Sequence, residues 1–307
     1  MRAITYDQYG DTSVLSLGER PDPKVGPSEV LIEARASSVN PVDWKLMSGG
    51  LDQMMDVRFP VVPGWDVAGV VADVGPDTPE WSVGDEVIAY VRKDYVHGGT
   101  AAELVNAPVR AVGRKPASLS WEEAASIPLA GLTALRTVDG LDVDSDSPLL
   151  IHGGGGGVGS FAIQIARALG ARVIASGSTG QHDRLRELGA EPVEYGDGLV
   201  ESVRELTPDG VDAVADFVGG VLEQTVAVLA DGGRHASVAD PDVLEAGGAW
   251  RWVRPDADGL ERLATLVDEG KLAVEVEEVF ALEDLAAAYE RSRAGHVHGK
   301  LAIRISE

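Results

Sequence analysis

The sequence predicts an α/β protein: a doubly wound parallel sheet joined to a β-rich region. Three observations lead there. Between about residues 121 and 240, short apolar runs alternate with amphipathic segments, the texture of repeated strand–helix units. A glycine run, Gly153 to Gly157 followed by Val158 and Gly159, sits between one apolar run and the amphipathic segment after it. Residues 1 to about 115 instead carry β-branched runs punctuated by Gly and Pro, which predicts strands joined by tight turns.

In the first region the predicted strands are Glu29 to Arg35, Val67 to Val74 and Asp85 to Val91, with Gly84 at a turn position that accepts a positive φ. The second region opens on the strand Leu149 to His152 and the helix Val158 to Leu169. A strand at Arg172 to Ser176, a helix near Asp183 to Leu188 and a strand near Pro192 to Tyr195 follow. Helix Leu199 to Leu206, strand Val211 to Phe217, helix Leu222 to Leu229 and strand Arg234 to Ala239 complete the alternation. Helix Gly259 to Glu269 leads to mixed elements and a last strand, Lys300 to Ile305. Trp250 to Arg254 reads either as an edge strand or as an interior last strand.

Gly154, Gly156 and Gly159 satisfy G-x-G-x-x-G in the context that gives the pattern meaning, between an apolar strand and a periodic helix. Missing β-carbons let the backbone approach a pyrophosphate, whose charge meets unpaired amides at the helix N-terminus. Gly154, Gly156, Gly157, Val158 and Gly159 are therefore candidate cofactor-binding residues of a Rossmann unit. NAD-selective sites place an acid at the end of the second strand. Here that stretch reads Ala175-Ser-Gly-Ser-Thr-Gly-Gln-His182, with no carboxylate before Asp183. Hydroxyls tolerate a 2′-phosphate that a carboxylate repels, so NADP(H) is expected. Ser176 and Ser178 are candidate donors and Arg184 or His182 nearby charge; turn chemistry explains the serines equally, and a solvated helix face explains Arg184. Val218, Gly219, Ser237 and Ala239 follow the fourth and fifth strands, at the carboxyl ends where open sheets bind ligands.

Composition narrows the function. Fifty acidic and 26 basic side chains give a formal net charge of −24, which opposes binding to nucleic acid or anionic membrane. With no cysteine there is no disulfide, thiol nucleophile or thiolate metal site. The six histidines show no metal-ligand spacing. No apolar run is long enough to span a bilayer, and Met1 to Asp7 lacks a signal-peptide core, so a cytoplasmic protein is expected.

Taken in order, Ser38-Val-Asn-Pro-Val-Asp-Trp-Lys45, Pro63-Gly-Trp-Asp-Val-Ala-Gly-Val-Val71, Val83-Gly-Asp-Glu-Val87, Gly131-Leu-Thr-Ala134, the glycine run, Leu188-Gly-Ala190, Asp216-Phe-Val-Gly-Gly220 and His298-Gly-Lys300 span almost the whole chain. Together they resemble the medium-chain dehydrogenase/reductase superfamily, in its zinc-independent, quinone-oxidoreductase-like branch. The resemblance implies a GroES-like catalytic domain split by a Rossmann domain: 1–120 catalytic, 121–258 NADP-binding, 259–307 returning to the catalytic domain. It implies NADPH-dependent reduction of a quinone, enone or alkenal, a small-molecule substrate, and a homodimer. The departures are informative. Zinc-dependent relatives carry a cysteine near Asn40 and a histidine where this chain has Trp65, and a four-cysteine zinc lobe that is absent here. Many quinone-reductase relatives have a tyrosine where this chain has Lys45.

The resemblance places Asn40 beside the nicotinamide ribose, with Asp43 and Lys45 near the substrate mouth, as candidate catalytic residues. Lys45, one of six lysines, is expected to stabilise an oxyanion with Asp43 pairing it; a solvent-facing Asp43–Lys45 pair is the plainer reading. Thr133 resembles the residue near the nicotinamide amide, or packs a helix. Tyr195 matches a tyrosine that holds the 2′-phosphate, or caps a strand. Lys300 reads either as a lysine that reaches the cofactor across the cleft or, the plainer reading, as a solvated strand-edge lysine. No metal is expected. Alcohol or aldehyde dehydrogenation, and a catalytically silent NADPH-binding protein, stand as the alternatives.

Overall fold

A computed structural model describes residues 1–306 and divides the chain into two compact units. The first comprises 1–132, 254–269 and 274–307; the second comprises 133–253 and 270–273. The division falls within helix Pro128–Asp139.

The first unit is built on a seven-stranded sheet. Its order is Val276–Ala281, Lys300–Arg304, Glu29–Val39, Asp66–Val74, Glu86–Tyr90 and Val112–Arg114, with Leu104–Pro108 also paired to Glu29–Val39. All pairs are antiparallel except Val276–Ala281 with Lys300–Arg304. Glu29–Val39 runs past the predicted end at Arg35 because its polar residues find partners inside. Ser37 Oγ lies 2.9 Å from Thr100 Oγ1, and Ser38 Oγ donates to Asp66 at 2.8 Å. The strand keeps pairing through register shifts that take up its twist. Gly84 turns with φ +99°, as its turn position requires. Two helices here start on side-chain caps. Ser120 and Glu123 form a capping box for Trp121–Ala125, and Asp256 Oδ1 accepts from Gly259 N at 3.1 Å to begin Ala257–Asp268.

The second unit is a six-stranded parallel sheet. Its order is Glu191–Glu194, Arg172–Gly177, Pro148–His152, Val211–Asp216, Leu229–Ser237 and Ala249–Trp250, so successive strands wind outward in both directions from the first. Alternate side chains feed opposite faces. Leu150, Ile174 and Val214 join Leu199, Val203 and Val228 in one apolar layer, each burial contributing roughly 1.5–3 kcal/mol. Ala175 faces the other way, toward the glycine loop, with Ile163 and Leu185 beside it. Trp250 ends a two-residue edge strand, far shorter than the predicted run to Arg254.

Candidate active site

In the second unit the strand Pro148–His152 ends on Gly153, whose φ of +77° turns the chain sharply. Helix Gly157–Ala168 begins three residues after Gly154, with Gly156 as its N-cap. A β-carbon on Gly159 would run into the Gly153 carbonyl, so the helix packs against the loop only because that position is glycine. Gly154 and Gly159 are buried, while Gly156, Gly157 and Val158 are half-buried at the helix start. The loop is thus a bare cradle ending in the free amides of a twelve-residue helix.

Two of the predicted ligand side chains instead brace this loop. Ser176 is buried; its hydroxyl accepts from Gly153 N at 3.3 Å, and its carbonyl accepts from Gly154 N at 3.0 Å. Arg184 Nη1 donates to Gly155 O at 2.9 Å. The outward positions are Ser178, half-buried with its N–H on Gln181 Oε1 at 3.1 Å, and Tyr195, which is 59% exposed. His182 is half-buried.

At the carboxyl ends of the next two strands one carboxylate organises the chain. Asp216 Oδ1 accepts from Val218 N and Gly219 N, both at 2.9 Å, and Asp216 Oδ2 accepts from Ser237 Oγ at 2.7 Å. Ser237 Oγ in turn accepts from Ala239 N at 3.1 Å and Asp240 N at 2.9 Å. The predicted residues Val218, Gly219, Ser237 and Ala239 therefore converge on a residue that sequence reasoning passed over. His152 is buried against Thr225 Oγ1 at 3.2 Å, and burial pushes its imidazole down to about 4, so it stays neutral. Thr133 is buried in helix Pro128–Asp139, its carbonyl accepting from Thr137 Oγ1 at 2.8 Å.

The first unit holds a buried polar cluster around Asn40, the N-cap of helix Pro41–Met47. Pro41 presets the first helical φ, and Asp43 at the third helical position folds back so that Asp43 Oδ2 accepts from Asn40 N at 2.7 Å. The Asn40 amide donates through Nδ2 to Asp66 Oδ2 at 2.8 Å and accepts through Oδ1 from Lys300 Nζ at 2.6 Å. Lys300 Nζ also donates to Val39 O at 3.0 Å. Asp66 receives Ser38 Oγ on Oδ2 and Leu129 N on Oδ1, each at 2.8 Å. Asn40, Asp43, Asp66 and Lys300 are all 5% exposed or less. Burial pushes the Asp43 carboxyl up to about 7, raises Asp66 and lowers Lys300; the opposing charges and hydrogen bonds within the cluster offset part of each shift. Burial also raises the phenols of Tyr6, Tyr90 and Tyr289, which feel the Asp43 charge.

Two expectations need correction. Asp43 and Lys45 do not pair. Residues two apart on a helix face different ways, so Asp43 turns inward while Lys45 is exposed, its Nζ 5.6 Å from the Trp44 ring centroid. Lys300 is not a solvated edge residue: its strand lies between Val276–Ala281 and Glu29–Val39, and its ammonium is enclosed. Asp66 and Lys300 left one sequence signal, a charged residue opening an otherwise apolar strand.

Trp65 is buried edge-on to Tyr90, with ring centroids 6.1 Å apart, and among the described residues no three His, Cys, Asp or Glu side chains are grouped to hold a metal.

The parallel sheet with its glycine cradle, together with the separate β-rich unit, defines a dinucleotide-binding α/β protein. Residues 26–117 match the alcohol dehydrogenase GroES-like domain, and residues 188–303 match the zinc-binding dehydrogenase family. The chain is 33% identical to 2-methylene-furan-3-one reductase of Solanum lycopersicum, over 99% of this chain and 79% of that protein. It is 31% identical to the chloroplastic NADPH-dependent alkenal/one oxidoreductase of Arabidopsis thaliana, with the same coverage. Among solved structures, the quinone oxidoreductase of Coxiella burnetii superposes with a TM-score of 0.89 at 33% identity, covering 100% of this chain and 99% of that one. A mycobacterial protein in complex with NADPH superposes at 0.85 and 30% identity, covering 99% and 100%. The chain belongs to the medium-chain dehydrogenase/reductase superfamily, in its quinone-oxidoreductase-like branch.

Proposed function

We propose that this chain is a zinc-independent oxidoreductase that uses NADPH to reduce a conjugated carbonyl acceptor: an enone, an alkenal or a quinone. The observation that carries the reading is the glycine cradle followed by a second strand that ends on Gly177 without a carboxylate, in a chain 33% identical to an enone reductase.

NADPH, when bound, supplies the hydride. Gly154, Gly156, Gly157, Val158 and Gly159 receive the pyrophosphate on backbone amides. Ser178 and Tyr195 take the 2′-phosphate, while Ser176 and Arg184 keep the loop in shape beneath it. Val218, Gly219, Ser237 and Ala239, held by Asp216, offer backbone contacts, and Thr133 holds the nicotinamide amide. On the acceptor side, hydride arriving at the electrophilic carbon leaves negative charge on the conjugated oxygen. Lys45 supplies an exposed cation to that oxygen, Asn40 orients the reacting groups, and Asp43 positions Asn40 through its N–H. A proton, from a side chain or from water, completes the reduction. No step uses a metal.

The same reading makes the protein a cytoplasmic homodimer acting on a small molecule. The −24 formal charge, which opposes nucleic acid and anionic membrane, supports the small-molecule substrate. In addition, no helix among the described residues is long and apolar enough to cross a membrane.

NADPH oxidation followed with enones, alkenals, quinones and saturated aldehydes tests it. Turnover of the conjugated acceptors, with saturated aldehydes inert, is expected; tight NADPH binding with no turnover on any acceptor overturns it in favour of a binding protein. Light scattering of the purified chain reads the oligomeric state, with a dimer mass expected.

A further inference from the structure

The Asn40 amide lies between two groups of opposite hydrogen-bonding character. An ammonium donates and cannot accept; a carboxylate accepts and cannot donate. Lys300 Nζ meets Asn40 Oδ1 at 2.6 Å, and Asp66 Oδ2 meets Asn40 Nδ2 at 2.8 Å. Turning the amide over would set its NH2 against the ammonium and its carbonyl against the carboxylate. Both clashes would fall among groups with almost no contact with water, where unmade polar contacts are costly. Neither end yields easily. Three donors, from Ser38, Asn40 and Leu129, converge on Asp66 and match its ionised form. Lys300 is tied a second time to Val39 O, the carbonyl directly before Asn40.

We propose that Asp66 and Lys300 are positioning residues that lock the Asn40 amide in one orientation, so that Asn40 offers its remaining N–H as a donor to an oxygen of the bound acceptor. That N–H makes no hydrogen bond within the described chain. Asp66 does a second job with its other oxygen. By accepting from Leu129 N at 2.8 Å it fixes the first turn of helix Pro128–Asp139, the helix on which Thr133 lies. The proposal rests on the reading of Asn40 as part of the catalytic machinery and adds how its direction is set.

Four variants test it in the full chain, each read by kcat, KM and Tm: N40A, D66N, K300M and the double variant D66N/K300M. D66N sets an NH2 group against one of the three donors that Asp66 now receives, and K300M leaves two buried carboxylates without their cation. Each single change is expected to lower Tm and to lower kcat at least tenfold. The double variant removes one charge of each sign. It lets a turned-over Asn40 accept from the amide introduced by D66N, so Tm recovers while kcat stays at least tenfold down. Recovery of kcat in step with Tm overturns the proposal, because the two residues then serve folding alone. If either single variant fails to fold, the double variant against the parent decides the question. An N40A variant with unchanged kcat/KM overturns the reading of Asn40 itself, a result separable from the first.

Discussion

Ser237 Oγ donates to Asp216 Oδ2 at 2.7 Å, tying the carboxyl ends of two neighbouring parallel strands through their side chains. The pair works as a junction. Each partner accepts two backbone N–H groups from the turn that follows its own strand, Val218 and Gly219 on one side, Ala239 and Asp240 on the other. The turns that a ligand at this sheet edge would meet are thus set by two buried side chains rather than by the loops themselves.

Replacing Asp216 with alanine strips two turn amides and one hydroxyl of their acceptor. At about 1–3 kcal/mol for each buried group left unmade, with relaxation and water entry recovering part, a loss of about 3 kcal/mol is expected. Urea unfolding of D216A against the parent measures it. The variant should also bind NADPH at least tenfold more weakly. Unchanged stability would show that the turns hold without the junction.

Cofactor choice is set at the end of the second strand. Ser178→Asp puts a carboxylate at one of the two outward positions, where NAD-selective chains carry an acid. KM for NADPH is expected to rise about tenfold or more, one pH-independent repulsion of about 1.4 kcal/mol sufficing, while KM for NADH moves less than about threefold. Tyr195→Ala should raise KM for NADPH with little loss of Tm, since the ring is 59% exposed. A parent protein that already prefers NADH would contradict the assignment outright.

Lys45 stands on the exposed side of helix Pro41–Met47 and has no ion pair among the described residues. If its ammonium meets charge developing on the acceptor oxygen, Lys45→Ala should cut kcat/KM by about tenfold to a hundredfold, at the lower end of what a lost oxyanion donor costs because the site is open to water. Tm should stay within a degree or two. Steady-state kinetics on the best conjugated acceptor, at saturating NADPH, gives the answer. Unchanged kcat/KM removes Lys45 from the chemistry.

Much of this molecule is legible in its sequence. The parallel sheet follows from alternation, since its central strands, Pro148–His152, Arg172–Gly177 and Val211–Asp216, read as largely apolar runs and the helices between them as amphipathic ones. The glycine cradle follows from spacing, because Gly159 has to clear the Gly153 carbonyl. Hidden were the pairings of polar side chains distant in sequence. Asp66 and Lys300 each looked like a charge at the mouth of an apolar strand; only the sheet order shows Lys300 in an interior strand beside the end of Glu29–Val39. Ser176 stays open between ligand and loop in the sequence for a related reason. A hydroxyl at the end of the second strand serves a phosphate or a loop equally well, and strand register, which one residue's shift reverses, decides which way it faces.

Asp43 gives the cluster a pH signature whose sign can be worked out. Burial pushes its carboxyl from an ordinary 3.8 up to about 7 in the folded chain. Below pH 4 the group is protonated folded or unfolded and costs nothing. Between about pH 4 and 7 the unfolded chain releases the proton while the folded chain keeps it, so the folded state binds more protons and stability falls as pH rises. Above about 7 both forms are ionised and the penalty is constant. In a D43N variant the side-chain carbonyl still accepts from Asn40 N, but the group does not titrate. The variant's Tm relative to the parent should therefore rise steadily from pH 4 to 7 and level off above that, whatever constant offset the buried NH2 group adds. Subtracting the parent curve removes the titrations of Asp66 and Lys300 to first order. Thermal melts of both proteins at matched ionic strength make the comparison, and a difference that stays flat across this window would show that Asp43 does not hold its proton there.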